Sequence, residues 1–391
     1  MRKSKDGEGI WVEWSQAREI AVRRKPRAID LFCGCGGLTL GLEQAGFKVI
    51  GAIDDDPLAV STYRRNHKAV HVWESDIADL SVAEMRRRLN LHKRELELLA
   101  GCPPCQGFSR MRTLNGLKRM RDDQNNWLID EFLRFVRGLL PRAVMMENVP
   151  RLKDYHRFSA FRRELKKLGY EVGFKIRDAA DYGVPQRRRR LILLAGRRQE
   201  IQFPSPLPER TSVLEVIGKL PAAGESGDVL HDLPETRTEK VRDIIRRIPA
   251  DGGSRTDLPR QDQLACHKKC DGFKDVYGRM AWHDVAPTIT TGCFNPSKGR
   301  FLHPEDDRAI TMREAALLQG FPAKYKFPTT QGKSAIALLI GNALPPPFIR
   351  EHALAVRDFL GDHTQINNIK RGRKQKCHTI QKKQNSFSSK G

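Results

Sequence analysis

The chain has 391 residues, with 70 Lys+Arg against 47 Asp+Glu for a formal net charge of +23, and 39% of its residues are hydrophobic. That length exceeds one average domain and the apolar content excludes a disordered or fibrous chain, so two lobes, or one large domain with an insertion, are expected. No apolar run approaches the ~20 residues of a membrane helix, the charged residues 1–14 lack the apolar core of a signal peptide, and the basic surplus points to a polyanionic partner, nucleic acid before anionic membrane.

In chain order, Ala28-Ile29-Asp30-Leu31-Phe32 reads as a strand running into Cys33-Gly34-Cys35-Gly36-Gly37. Leu38, Leu42 and Ala45 follow at helical spacing, with Gly46 as a C-terminal stop. Residues 49–53 form the next predicted strand, closed by Asp54, Asp55 and Asp56. Residues 96–100 lead into Gly101-Cys102-Pro103-Pro104-Cys105, and residues 126–140 have a helical pattern. Ala143-Val144-Met145-Met146 is a short buried strand ending at Glu147-Asn148. Strand, turn and helix in repetition predict an α/β fold with a parallel or mostly parallel sheet covered on both faces. Ligands in such folds sit at the carboxyl ends of the strands, where these polar clusters fall.

After Leu191-Ile192-Leu193-Leu194 the texture changes. Residues 196–303, rich in Pro, Gly and charge, are expected to form a separate, smaller, irregular lobe. A helical pattern returns at residues 311–318, and residues 335–340 add an apolar run. The expected organisation is a basic N-terminal extension (1–26), a first catalytic part (27–195), the irregular lobe (196–303), a returning catalytic part (304–361) and a basic tail (362–391). The tail's composition cannot bury a core, and it is expected to stay disordered. The eight cysteines, without signs of secretion, read as reduced thiols.

A strand followed by Gly34, Gly36 and Gly37 at a helix start lets a ligand approach the backbone closely. The dinucleotide fingerprint is incomplete, because position 39 is Thr rather than Gly. On its own the loop is equally a tight strand–helix turn. Asp54, ~20 residues on, lies where such folds hold a ribose hydroxyl. Together these features favour a ribose-bearing ligand that needs no pyrophosphate, a description S-adenosyl-L-methionine meets.

Pro103 and Pro104 rigidify the backbone before Cys105, and Gly107 and Ser109 permit a turn that presents its thiol. Glu147, after a strongly apolar strand, should be partly desolvated, which raises a carboxyl toward a useful acid range. In the run Gln186-Arg187-Arg188-Arg189-Arg190, an extended chain sends Gln186, Arg188 and Arg190 to one side and Arg187 and Arg189 to the other. One set can then serve a site while the other meets solvent or DNA.

In order as well as content these segments resemble the motifs of the DNA (cytosine-5) methyltransferases, in their prokaryotic modification type. Residues 30–37 resemble the family's cofactor motif, Pro104-Cys105-Gln106 its nucleophile motif, Glu147-Asn148-Val149 its glutamate motif, and Gln186, Arg188 and Arg190 its Gln-x-Arg-x-Arg motif. Arg313-Glu314 with Gln319-Gly320-Phe321-Pro322, then Gly341-Asn342-Ala343-Leu344-Pro345, resemble the closing pair. The resemblance spans residues 27–360. It implies a Rossmann-like S-adenosylmethionine-dependent methyltransferase sheet, a target-recognition role for the irregular lobe, and a last motif folded back beside the first.

It also implies a covalent mechanism on a cytosine flipped out of duplex DNA. Cys105 attacks C6, which turns C5 into a nucleophile. Glu147 holds the base near N3, Arg188 holds O2, and Arg190 fixes Glu147 and the loop. The cofactor falls to Phe32, Gly34, Gly36, Gly37, Leu38, Asp54, Asp76, Ile77, Pro104 and Asn342, and further substrate contacts to Gln106, Ser109, Asn148 and Gln186. Asp55 stands where some relatives carry an aromatic residue, and Cys33 and Cys35 read as small packing residues. Cys266-His267-Lys268-Lys269-Cys270 lacks a second ligand pair, so no metal is expected.

Double-stranded DNA is the expected partner, with a cognate restriction endonuclease acting on the same sequence as a candidate second one. A monomer in the prokaryotic cytoplasm, on the nucleoid through its DNA, is expected. A tRNA cytosine-5 methyltransferase of the same fold and a non-catalytic DNA-binding relative are the alternatives. The size of the irregular lobe and the Gln-Gly-Phe-Ser sequence after Cys105 argue against the first, and the intact Cys105, Glu147, Arg188 and Arg190 against the second.

Overall fold

The computed structural model describes residues 24–104, 127–263, 268 and 274–361. Cys105, Gln106, Ser109, Cys266, His267, Cys270, the tail from 362 and most of the N-terminal extension lie outside the described residues. In chain order the first part contains β1 (Arg27–Leu31), α1 (Gly37–Gln44), β2 (Lys48–Asp54), α2 (Pro57–Asn66), β3 (His71–Glu74), α3 (Val82–Arg88) and β4 (Leu98–Gly101). It continues with α4 (Leu128–Leu139), β5 (Ala143–Asn148), α5 (His156–Lys167), β6 (Tyr170–Asp178) and β7 (Arg189–Arg197). The seven strands make one sheet in the order β3-β2-β1-β4-β5-β7-β6.

Strands β1 to β5 are parallel neighbours, and β7 runs antiparallel between β5 and β6. The expected mostly parallel sheet is thus found, with an antiparallel edge. A short connection between β6 and β7, one 3-10 turn at Ala179–Tyr182, allows a hairpin there, whereas parallel neighbours need a long crossover. Helix starts follow local chemistry. Pro57 opens α2, and the Asp56 side chain accepts from the backbone N–H groups of Leu58 and Ala59.

The sheet buries apolar side chains on both faces. On one, Phe132, Val136, Phe158 and Phe161 of α4 and α5 pack on Ile29, Leu31, Val144 and Leu193. On the other, Leu38 and Leu42 of α1 meet Leu344, Phe348, Ile349 and Val356, the last three from helix α10 over 346–361. Helix α10 therefore packs beside α1. A Cβ added to Gly37 would stand 2.2 Å from the Leu344 carbonyl oxygen, so glycine is required for this contact.

The remaining helices are α6 (Val213–Ile217), α7 (Glu239–Arg247), α8 (Met312–Leu318) and α9 (Gly332–Asn342). A third apolar cluster joins Val213, Ile217, Leu230, Met280, Ile289 and Phe301 to Met312, Ala316, Ile336 and Ile340. It crosses the 303/304 boundary drawn from composition. A small separate cluster holds Ile244, Ile245, Ile248, Leu258, Tyr277 and Leu302. Among the described residues no helix is long and apolar enough to cross a membrane.

Candidate active site

A cavity of about 480 Å³ opens at the carboxyl ends of β1, β2, β4 and β5. Phe32, Gly34, Gly37, Leu38, Asp54, Pro104, Glu147, Asn148, Arg188, Arg190 and Asn342 all line it, so eleven residues expected from six separate segments meet in one place. The loop after β1 enters it on positive φ angles at Phe32 (61°), Gly34 (52°) and Gly36 (100°). A Cβ on Gly34 would project into open space, with no atom within 4 Å, so this edge of the loop faces the void.

Asp54 holds the loop from below. Its Oδ2 accepts from Gly34 N at 2.8 Å, and its Oδ1 from Asp56 N at 3.1 Å. Burial outweighs these bonds and pushes its carboxyl up to about 6. Asp30, at the heart of β1, is fully buried. Its Oδ2 accepts from Thr39 Oγ1 at 2.7 Å, while Oδ1 has no partner. Burial pushes it up to about 8, so it keeps its proton at neutral pH. Cys33 and Cys35 are buried, and burial raises both thiols, Cys35 to about 12, which suits packing rather than reactivity.

At the other end Glu147 is 2% exposed. Arg190 Nε lies 2.9 Å from Oε1, and Cys102 Sγ donates to Oε2 at 2.8 Å. The Arg190 contact is electrostatic rather than an aligned hydrogen bond, so Oε1 keeps an unused acceptor site. Asn148 Nδ2 donates to Pro103 O at 2.8 Å, and its Oδ1 accepts from Val149 N. Asn148 therefore fixes the proline segment that leads into Cys105.

The basic run alternates as expected: Gln186 and Arg188 are buried, Arg190 is half-buried, and Arg187 and Arg189 are exposed. Arg187 pairs with Asp284 at 2.6 Å. Arg188 Nη1 donates to Ile289 O at 3.1 Å, and Nη2 to Gly341 O at 3.0 Å and Ala343 O at 3.3 Å. Its Nε is buried without a partner, and burial lowers the guanidinium to about 9, still a cation at neutral pH. Gln186 lies outside the cavity wall. It donates to Leu318 O and Gln319 Oε1 and accepts from Ile289 N, so it joins the segment entering β7 to the lobe and to α8.

Gly36, Asp76 and Ile77 are not in the cavity wall. Asp76 is exposed and accepts from Ala78 N, and Ile77 is in the core. Sequence reasoning missed Cys102 as a partner of Glu147, although Cys102 stands in the Gly101-Cys102-Pro103-Pro104-Cys105 segment. It also missed Leu338, 42% exposed at the cavity wall, for which α9 carries no local signal.

The family "C-5 cytosine-specific DNA methylase" matches residues 27–357. The chain is 40% identical to the Type II methylase M.HgiDII of Herpetosiphon aurantiacus, over 85% of this chain and 95% of that protein. It is 34% identical to the Type II methyltransferase M1.HphI of Haemophilus parahaemolyticus, over 84% of this chain and 86% of the relative. The crystal structure of the Dnmt2 methyltransferase of S. pombe superposes with a TM-score of 0.56 at 18% identity, covering 86% of this chain and 99% of that one. At that identity the superposition speaks for the fold alone. With the cavity, its ordered motifs and a family match over most of the chain, the protein belongs to the C-5 cytosine-specific DNA methylases and is a DNA (cytosine-5) methyltransferase.

Proposed function

We propose that the cavity is the place where a flipped cytosine and S-adenosyl-L-methionine meet, with Cys105 as nucleophile and Glu147, Arg188 and Arg190 around the base. The observation that carries this reading is Glu147, buried between Arg190 and Cys102 in the wall that also holds the glycine loop. The residues fit the methyl donor. The cavity volume is in the usual range for small ligands, ~300–1,000 Å³, and the Cβ space beside Gly34 is open. Phe32, Gly34, Leu38, Asp54, Pro104 and Asn342 would hold it. When bound, it supplies an electrophilic methyl group on a sulfonium.

Cytosine C5 is a weak nucleophile until C6 carries a covalent bond. The Cys105 thiolate forms that bond, and the C5–C6 electron pair becomes available at C5. Glu147 offsets the charge that develops at N3. Arg190 orients Glu147, and Arg188 faces O2 from a guanidinium fixed by three carbonyls. After methylation C5 loses its proton and Cys105 is expelled. None of these atoms is reachable inside a stacked duplex, so the base must leave the helix.

The same reading takes residues 196–303 as the target-recognition lobe, duplex DNA as the substrate and the prokaryotic cytoplasm as the compartment, with the protein acting as a monomer. The names of the two relatives support a modification enzyme paired with a restriction endonuclease of the same specificity. Base-resolution mapping of 5-methylcytosine in DNA from a methylation-free host expressing the chain tests this. One methylated cytosine in a fixed sequence context is expected. Methyl transfer to tRNA in preference to duplex DNA, or no transfer to either, would overturn it.

A further inference from the structure

Behind the glycine loop, away from the cavity, three side chains from distant segments meet. Tyr325 OH lies 2.5 Å from the Cys35 carbonyl oxygen. His67 Nε2 lies 3.0 Å from the same hydroxyl, and His67 Nδ1 lies 3.0 Å from Glu43 Oε2. His67, which ends α2, is 4% exposed, as is Tyr325, which follows the Gln-Gly-Phe-Pro segment. A Cβ on Gly36 would stand 2.5 Å from His67 Nε2 and 2.6 Å from Tyr325 OH, so the pair forms the back wall of the loop.

The three contacts set a proton count. The Cys35 carbonyl and the Glu43 carboxylate only accept. The phenol has one proton and a neutral imidazole has one, which makes two donors for three contacts. The imidazolium supplies the third. A neutral ring must give up one of the three: its bond to Glu43, the Tyr325 bond to the loop, or its own bond to Tyr325, where the bare Nε2 lone pair would then face the phenol oxygen at 3.0 Å.

We propose that His67, as an imidazolium, and Tyr325 are positioning residues that hold the Cys35–Gly36 backbone in the shape that accepts the methyl donor. This rests on the reading that the glycine loop holds that donor. Tyr325 carries the loop contact, and the second proton on His67 lets the ring hold the phenol oxygen through Nε2 while it stays tied to Glu43, so that Tyr325 is fixed with its own proton on the loop. Donor affinity therefore depends on a proton outside the cavity.

The titratable groups facing the imidazole are Glu43 on α1, Tyr63 one turn earlier on α2, with ring centroids 4.7 Å apart, and Tyr325. Asp30 lies further off, through Tyr63 OH and Thr39. Burial raises both phenols well above their ordinary range, so they keep their protons. Asp54 titrates near the loop from the other side, up to about 6, and acts in the opposite sense, since its ionised form accepts from Gly34 N. A test must therefore compare variants across pH.

The experiment is calorimetric titration of S-adenosylhomocysteine into the full chain from roughly pH 5.5 to 8.5, the range in which imidazoles change charge. Wild type, Tyr325→Phe and His67→Gln are compared. Tyr325→Phe, a one-oxygen change, should weaken binding roughly three- to tenfold at about pH 6, with duplex DNA affinity unchanged. The affinity ratio of wild type to His67→Gln should fall as pH rises, because the Asp54 contribution is common to both and cancels.

A ratio independent of pH, or wild-type affinity in Tyr325→Phe, overturns the proposal. Nitrogen-15 spectra of the histidine rings give a second check: both nitrogens of His67 should carry protons at about pH 6, and a singly protonated ring contradicts the count. If wild type binds no S-adenosylhomocysteine at any pH, the donor-site reading itself fails.

Discussion

Glu147 and Arg190 form a diagonal pair across the antiparallel β5–β7 ladder. Glu147 is in register with Ile192, and Arg190, two residues earlier on the same face, brings Nε to 2.9 Å from Oε1. The antiparallel neighbour of β5 thus delivers the cation that this buried carboxylate requires.

Removing that cation should have two effects. Arg190→Ala leaves Glu147 buried without its ion pair, which should cost about 3 kcal/mol of stability. Single-turnover methylation should fall by roughly 10²–10³, the usual loss when a group stabilising developing charge is removed or misplaced. Arg190→Lys should recover part of the stability but little of the rate. Urea denaturation and quench-flow assays measure both, and a rate within threefold of wild type would show that Arg190 does not orient Glu147.

Two glycines of one loop should respond differently to alanine. At Gly37 the new methyl meets the Leu344 carbonyl 2.2 Å away, so the last motif must move, at about 1–3 kcal/mol. At Gly34 the methyl meets nothing, and the cost is the left-handed backbone, about 1–2 kcal/mol. On the proposed reading that methyl enters the donor's space, so Gly34→Ala should lose S-adenosylhomocysteine affinity out of proportion to its stability. Equal affinity in Gly34→Ala and wild type would move the donor elsewhere.

Asp30 makes stability depend on pH. Burial raises its carboxyl from 3.8 to about 8, so the folded state binds the proton more tightly than the unfolded chain. Its contribution is complete below about pH 4 and is lost as pH rises through about 8. Asp30→Asn should gain on wild type steadily across that window, by more than the ~1.4 kcal/mol of a single pKa unit. Denaturation at several pH values checks this, and a constant difference between the two proteins would contradict it.

Several elements were legible in the sequence because their signals are local. The strand into the glycine loop, the helix ending at Gly46 and the alternation of Gln186 to Arg190 follow from short-range periodicity and turn chemistry. What escaped depends on partners far along the chain. The three carbonyls on Arg188 come from residues 289, 341 and 343, and the back wall of the loop joins positions 67 and 325. The polar edge strand β6 and the charged helix α5 lacked an apolar stripe clear enough to read. Composition also drew the lobe boundary where texture changes, whereas Phe301 and Ile310 share one core.

That shared core limits which segment can be exchanged to transfer specificity. Val213, Ile217, Met280 and Ile289 pack with α8 and α9, so replacing all of 196–303 should disturb the catalytic part. Residues 238–278 supply Ile244, Ile245, Ile248, Leu258 and Tyr277 to the small cluster that Leu302 completes, and they form the better unit. Exchanging this segment with that of a relative of different specificity should transfer the methylated sequence, read by bisulfite sequencing. Retention of the original pattern would place base readout outside it.

The covalent role of Cys105 is tested most directly by trapping. Duplex DNA carrying 5-fluorocytosine at the target position cannot lose a proton from C5 after methyl transfer, so the enzyme should remain attached through Cys105. With S-adenosyl-L-methionine present, a denaturing gel should show a stable protein–DNA adduct for wild type and none for Cys105→Ala, while Cys105→Ala still binds DNA and S-adenosylhomocysteine. The same adduct from Cys105→Ala would contradict the account at its centre.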